Sequence, residues 1–161
     1  DSETLLEFRR VLFRSVDWKA LERLRGLFLQ GGACSTDYWC DERDLASYDA
    51  TFAQRIGWKW DYVLAELRRR GWTPPRGTLL DWGCGSGIAG RAFLDHFGAD
   101  SVASLAVWDR SSLAMNFAAR RAAAKYPGLR VGTGMPEAPA LVLISHVLTE
   151  LDSAAAQRLA D

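Results

Sequence analysis

One short segment of the chain combines an acidic side chain with closely spaced glycines. The sequence "LLDWGCGSGIAG" runs from Leu79 to Gly90, and glycines follow Asp81 at positions 83, 85, 87 and 90. Glycine lets a backbone approach a ligand closely, and the start of a helix offers unpaired N–H groups to an anion. The segment therefore predicts a ligand-binding turn between a strand and a helix rather than a plain turn.

Three classes of ligand use such turns. A phosphate-binding P-loop requires Lys and then Ser or Thr after the last glycine, but Ile88 and Ala89 follow Gly87, which excludes it. Residues 85–90 match the dinucleotide pattern G-x-G-x-x-G, so an NAD-binding oxidoreductase stays an alternative. Counted from Asp81, the pattern acid-x-G-x-G-x-G is similar to the first motif of class I methyltransferases that use S-adenosylmethionine. We favour this second pattern.

A second acidic residue ends the next apolar segment. Asp109 follows the predicted strand Val102–Trp108, where a carboxylate can accept hydrogen bonds from both ribose hydroxyls of an adenosine ligand. Both nucleotide interpretations predict this acid, and the ordinary alternative is a helix-capping Asp. Arg110 could meet a 2′-phosphate, although a solvated side chain is the simpler interpretation. Cys84, inside the glycine turn, is interpreted as a small apolar filler rather than a nucleophile.

Apolar periodicity indicates which elements position these residues. Helical spacing predicts three helices before the turn, at about residues 17–30, 42–56 and 58–70, with Gly71 as a C-terminal cap. Strands are predicted at 78–82, 102–108, 130–133 and 141–145, with helices at 87–97, at 111–125 and after Ser153. Strands that alternate with helices predict an α/β fold with a Rossmann-like parallel sheet. We divide the chain into a helical region, 16–73, and a partial Rossmann-like methyltransferase domain, 74–161.

Composition excludes several classes of function. The 161 residues are 48% hydrophobic and 25% charged with a formal net charge of zero, which is typical of a soluble globular domain. No apolar run is long enough for a membrane span, and no secretory signal is evident. Three cysteines without a C-x-x-C pair make a disulfide framework or zinc site an unfavoured interpretation. We expect a cytoplasmic protein without a metal site, and the sequence leaves its oligomeric state open.

The two ends of the chain suggest a fragment. The run Leu6–Ser15, "LEFRRVLFRS", resembles the conceptual translation of a sequencing-adapter oligonucleotide, the alternative being an amphipathic basic helix. Residues 1–15 are therefore left out of the fold prediction. The sheet of a class I methyltransferase also has more strands than the four predicted here. We expect the remaining strands and much of the substrate pocket to lie downstream.

Several segments together resemble one methyltransferase-like family, which is associated with the mitochondrial and bacterial small ribosomal subunit. They are "LLDWGCGSG", "AVWDRS", "LVLISHVLTEL" and the helical "YWCDERDLASYDATFAQRIGWKWDYVLAEL". The resemblance spans about residues 36–152. It implies S-adenosylmethionine as cofactor, with the glycine turn at its methionine end and Asp109 at its ribose. The full candidate cofactor set is Asp81, Gly83, Cys84, Gly85, Gly87, Asp109 and Arg110.

The same resemblance implies an acceptor side. Ser145 and His146 match the "SH" at the end of the fourth strand, which faces the transferred methyl group in class I enzymes, so they are the candidate catalytic residues. His146 could act as a general base, or it could be a structural histidine. The absence of an N/D-P-P-Y motif disfavours amino methylation of that type. Ala140 stands where many relatives have an acid, and only Met135–Ala140 separate the last two strands, so the usual helix there is missing or reduced.

Basic clusters bear on the partner. Arg68-Arg69-Arg70 and Arg120-Arg121, with Trp58, Lys59 and Trp60, could contact RNA, or they could be helix-end cations and packed tryptophans. The resemblance favours ribosomal RNA or the small ribosomal subunit as partner. A non-catalytic ribosome-assembly factor that keeps the methyltransferase fold is the alternative from another functional class.

Overall fold

The structure is a computed structural model that describes residues 16–30, 39–147 and 157. The adapter-like segment 1–15 lies outside the described residues, and so do most of the predicted loop 33–40 and, except for Gln157, the last predicted helix from Ser153. Within the described ranges no helix is both long and apolar enough to cross a membrane.

Three helices form the N-terminal region. They are α1 (Trp18–Gln30), α2 (Glu42–Ala50) and α3 (Phe52–Arg69). The Asp41 carboxylate caps α2 by accepting hydrogen bonds from the backbone N–H groups of Arg43 and Asp44, which have no partner inside the helix. Gly71 follows α3 with a φ of 78°, which agrees with the predicted cap.

The boundary between α2 and α3 differs from the prediction. The predicted break after Ile56 is wrong, because the helical backbone is interrupted at Thr51 (φ −128°, ψ −86°). The Thr51 hydroxyl donates to the carbonyl of Ser47 at 2.6 Å. Such a bond competes with the regular helical pattern, so the chain turns there. Helix α3 therefore begins at Phe52, six residues before the predicted start at Trp58.

Four parallel strands form one sheet in the order β3-β2-β1-β4. They are β1 (Thr78–Trp82), β2 (Ser104–Trp108), β3 (Val131–Thr133) and β4 (Leu141–Ile144). Helix α4 (Ile88–Phe97) connects β1 to β2, and α5 (Ser112–Lys125) connects β2 to β3. β2 begins later than predicted because a 3₁₀ turn at Ala99–Ser101 leaves Val102 in the connection. No helix lies between β3 and β4 in the described chain, as predicted from the short linker.

The helical region and the sheet share an apolar core. Leu79, Leu105 and Leu143 from the strands pack with Phe93 of α4 and with Leu64 of α3. A second cluster joins the first helices to α5 through Leu24, Trp39, Leu45, Ala114 and Phe117. Because burial of each large apolar side chain contributes about 1.5–3 kcal/mol, these contacts fix α2 and α3 against the sheet domain.

Candidate functional site

The glycine turn lies between the carboxyl end of β1 and the first residue of α4. Gly83, Gly85 and Gly87 have φ values of 67°, 50° and 77°, a region that side chains rarely adopt. The backbone N–H of Cys84 donates to the carbonyl of Trp108 at 2.9 Å, and that of Gly87 donates to the carbonyl of Cys84 at 2.7 Å. The turn is therefore held by one backbone bond to the end of β2 and one bond within itself.

The glycines of the turn face different surroundings. A Cβ atom added at Gly87 would lie 2.8 Å from the Cβ of Ala118 on α5, and one at Gly83 would meet the side chain of Val147 after β4. Among the described residues, a Cβ added at Gly85 would meet no heavy atom within 4 Å. Gly85 is thus the point of the turn that opens onto free space.

Asp81 is a buried carboxylate directly below the turn. Its Oδ2 accepts a hydrogen bond from the backbone N–H of Gly90 at 2.9 Å, and its Oδ1 has no hydrogen-bond partner among the described residues. Burial raises the pKa of Asp81 to about 7; the nearby Asp109 adds to this rise, whereas the Gly90 N–H and Arg91 oppose it. A buried acceptor without a partner is unusual, and it suits a ligand that donates a hydrogen bond or carries positive charge.

Asp109 lies at the same edge of the sheet. β1 and β2 run in register from Thr78↔Ser104 to Trp82↔Trp108, so Asp81 and Asp109 meet at the carboxyl ends of neighbouring strands. Asp109 Oδ2 accepts from the backbone N–H of Gly85 at 2.9 Å, and Oδ1 accepts from that of Ser111 at 3.0 Å. The sequence predicts that this carboxylate binds a ribose; in the structure it fixes the turn.

The two remaining cofactor candidates differ in exposure. Cys84 is buried in the main core, and burial raises the pKa of its thiol. A buried thiol with a raised pKa is a poor nucleophile, which agrees with its interpretation as a filler. Arg110 is exposed beside Asp109, at the rim of the site.

The candidate catalytic residues lie at the end of β4, beside α3. Trp60 donates its indole N–H to Ser145 Oγ at 2.9 Å, and Lys59 Nζ lies 3.3 Å from His146 Nε2. Because an ammonium group can only donate, Nε2 accepts, and the imidazole carries its proton on Nδ1. Partial burial and then Lys59 lower the pKa of His146. His146 also has a φ of 58°, which is unusual for a residue other than glycine.

The basic clusters are mostly engaged in ion pairs. Both Arg69 and Arg70 pair with Glu66 on their own helix. On α5, Arg120 pairs with Glu42, and Arg121 with Asp49. Paired guanidinium groups offer less charge to a phosphate backbone, so these contacts favour the interpretation that the clusters stabilise the helices.

Comparisons with known proteins bear on the fold. No protein-family model and no curated protein matches the chain. A solved structure from Methanococcus maripaludis, described provisionally as an S-adenosyl-L-methionine-dependent methyltransferase, matches with a TM-score of 0.53 and 18% identity. The match covers 77% of this chain and 59% of that one, so this chain spans less than two thirds of its length. A structure of Streptomyces venezuelae DesVI has a TM-score of 0.36 and 24% identity, over 61% of this chain and 37% of that one.

The first likeness confirms the predicted architecture. The chain has a Rossmann-like α/β fold. In such open sheets ligands bind outside the carboxyl ends of the strands, where the strand order reverses. Here the order reverses between β1 and β4, so the glycine turn and the Ser145–His146 segment flank that point.

Two residues that sequence analysis did not select also belong to the site. Arg91 of α4 and Asp49 of α2 form an ion pair in which both side chains are almost fully buried. Arg91 Nη1 also donates to the carbonyl of Ser86 in the glycine turn at 2.6 Å. The sequence carries no local signal for this pair, because at helical spacing Arg91 does not share a face of α4 with the apolar Ala89, Phe93 and Phe97.

Proposed function

We propose that the protein is an S-adenosylmethionine-dependent methyltransferase, with its cofactor at the carboxyl edge of the sheet between β1 and β4. The observation that carries this proposal is the buried Asp81 carboxylate beside the glycine turn, with one oxygen that has no partner among the described residues. The Rossmann-like fold and the position of the strand reversal support the same location.

The residues present suit this cofactor. Its amino-acid end carries an ammonium group, which can donate to Asp81 Oδ1 and would favour the ionised carboxylate. Its ribose carries two hydroxyls. Asp109 is the candidate acceptor for these hydroxyls, because an ionised carboxylate accepts hydrogen bonds and Asp109 lies at the same edge of the sheet as Asp81. Gly85, where an added Cβ would meet no described heavy atom within 4 Å, is the point of the turn that a ligand can approach.

Methyl transfer mainly requires the protein to position the reactants. S-adenosylmethionine, when bound, supplies a methyl group on a sulfonium sulfur, which departs as a neutral thioether when the acceptor's electron pair forms the new bond. The residues at the end of β4 must then orient the acceptor, exclude water and take up its proton. His146 Nε2 is the candidate proton acceptor, which requires Lys59 to move away from it, and Ser145 is the candidate orienting hydroxyl.

The substrate and partner rest on the sequence resemblance alone. We propose ribosomal RNA of the small subunit, or the assembling subunit, as the partner of a cytoplasmic protein. The alternative is a ribosome-assembly factor that keeps the fold without catalysis. Co-sedimentation with small subunits separates them, because a catalyst incorporates labelled methyl groups into the RNA and an assembly factor binds without doing so.

Gly85→Ala tests the cofactor site. The new methyl group points into the open space where the ligand would approach, and it meets no atom of the described residues within 4 Å. Gly128→Ala is the matched control, because Gly128 also has a positive φ and open surroundings but follows α5. Each substitution should cost about 1–2 kcal/mol of folding free energy through the backbone alone.

Calorimetric titration with S-adenosylmethionine measures the affinity of each protein for the cofactor. We expect the wild type and Gly128→Ala to bind alike and Gly85→Ala to bind at least about tenfold more weakly. NAD is titrated in parallel. If NAD binds and S-adenosylmethionine does not, the oxidoreductase alternative replaces this proposal, and unchanged binding by Gly85→Ala places the cofactor elsewhere.

A further inference from the structure

A buried ion pair lies directly behind the glycine turn. Arg91 projects from the first turns of α4 and is 5% exposed, and Asp49 of α2 is 3% exposed. Arg91 Nη2 pairs with Asp49 Oδ1, while its Nη1 donates to the Ser86 carbonyl at 2.6 Å. One guanidinium group therefore joins the helical region to the backbone of the turn.

Other contacts hold Asp49 in place. Its Oδ2 accepts from Arg121 of α5 at 3.0 Å, and its backbone carbonyl accepts from the Gln54 side chain at 2.7 Å. The carboxylate is thus placed between α4 and α5 by residues of three helices. Removing two charges from water is expensive, and a buried ion pair often stabilises a protein less than apolar residues of similar volume would. Stability alone is a weak reason for this arrangement.

The contact with Ser86 indicates a more specific role. A peptide unit is planar, so fixing the Ser86 carbonyl also fixes the direction of the Gly87 N–H. That N–H donates to the carbonyl of Cys84 at 2.7 Å, on the opposite side. The Ser86–Gly87 peptide is therefore held from both sides, directly after Gly85, the open point of the turn.

We propose that Arg91, anchored by Asp49, is a positioning residue that holds the Ser86–Gly87 peptide in the orientation needed to bind the cofactor. The affinity of the glycine turn for its ligand then depends on a carboxylate in the helical region. The inference rests on the proposed function for the identity of the ligand. The positioning itself is a property of the ligand-free protein and can be measured without it.

Asp49→Asn and Glu42→Gln form a matched pair of variants. Both lie on α2, and both remove a carboxylate that pairs with an arginine of α5, but Glu42 is exposed and does not contact Arg91. Arg91→Lys is the second test. It keeps a cation opposite Asp49, so no buried charge is left without a partner and the variant remains folded, but one ammonium nitrogen cannot occupy the positions of both Nη1 and Nη2.

Hydrogen exchange in the ligand-free protein is the first measurement. We expect the amides of residues 84–88 to exchange about tenfold faster in Arg91→Lys and Asp49→Asn than in the wild type. The amides of β2 in these two variants, and those of residues 84–88 in Glu42→Gln, should exchange as in the wild type. If residues 84–88 exchange as in the wild type in Arg91→Lys, or if exchange rises equally in β2, Arg91 has only a structural role and the proposal is wrong.

Affinity for S-adenosylmethionine and thermal midpoints are the second measurement. We expect Arg91→Lys to keep most of the thermal stability that Asp49→Asn loses. Its Kd for S-adenosylmethionine should nevertheless be at least about tenfold above that of the wild type. Affinity that recovers together with stability overturns the positioning role. If the wild type does not bind S-adenosylmethionine, the proposed function fails, and the exchange measurement still decides whether Arg91 holds the turn.

Discussion

The two ends of the carboxyl edge are built in different ways. At the β1–β2 end, backbone and carboxylate groups hold the turn, since Gly85 donates to Asp109 and Asp81 is fully buried below. At the β4 end, His146 is exposed and its described polar contact is with the side chain of Lys59. The first end is fixed before any ligand arrives, whereas the second is formed by contacts between side chains at the protein surface.

The difference suits the transferase function that we propose. A cofactor site gains from a preorganised backbone, because less entropy is lost on binding. An acceptor site must fit a substrate that varies among proteins of one fold, so side chains from outside the sheet can define it. Both ends are supported by the helical region, through Asp49 at the first and through Lys59 and Trp60 at the second.

The largest effect we expect is the pH dependence that Asp81 gives the fixed end. Its pKa is raised from 3.8 to about 7. The folded protein therefore retains a proton that the unfolded chain has lost between these values, so stability falls as pH rises from about 4 to 7 and is level outside that interval. The fall attributable to Asp81 is on the order of 4 kcal/mol.

Urea unfolding of the wild type, Asp81→Asn and Gly128→Ala at several pH values checks this. The difference in free energy of unfolding between wild type and Asp81→Asn should change across the interval, whereas Gly128→Ala, which removes no titratable group, should differ from the wild type by the same amount at each pH. A constant difference for Asp81→Asn would show that the carboxylate is not buried as described.

A smaller but still large effect is expected from Gly87→Ala. The added Cβ would lie 2.8 Å from the Cβ and 3.3 Å from the Cα of Ala118, at a φ of 77°. The left-handed backbone contributes about 1–2 kcal/mol and overpacking about 1–3 kcal/mol, so we expect a loss of about 3 kcal/mol. Gly71→Ala, at a φ of 78° with open surroundings, should lose only the backbone part. If Gly87→Ala and Gly71→Ala lose the same free energy of unfolding in denaturant, the close contact with Ala118 does not contribute to the loss.

The sequence predicts the β1–β2 end of the carboxyl edge better than it predicts the contacts of the helical region. β1 was predicted at Thr78–Trp82, as observed, because a short apolar run ending in an acid and glycines is a local signal. The juxtaposition of Asp81 and Asp109 follows from parallel pairing alone. Local chemistry and one rule of topology were therefore sufficient for the β1–β2 end.

The contacts of the helical region could not be predicted in this way. The apolar repeat through Leu45, Tyr48, Phe52 and Ile56 continues across Thr51, so periodicity does not reveal the break between α2 and α3. Asp49 and Arg91 are 42 positions apart, and their meeting depends on how α2 and α3 pack on α4 and α5. Nothing in either local segment encodes that packing.

The smallest effect we expect is at the β4 end of the carboxyl edge. Replacing Lys59 with Met removes the ammonium group from His146 Nε2, so the pKa of His146 should rise, although the partial burial that contributes most to its lowering remains. Stability should change by less than about 0.5 kcal/mol because the pair is exposed. NMR titration of the His146 imidazole protons measures this directly, with Lys19→Met as the matched control. An unchanged His146 titration would mean that the ammonium group does not face Nε2, whereas a raised pKa with unaltered S-adenosylmethionine affinity would separate the two ends of the edge functionally.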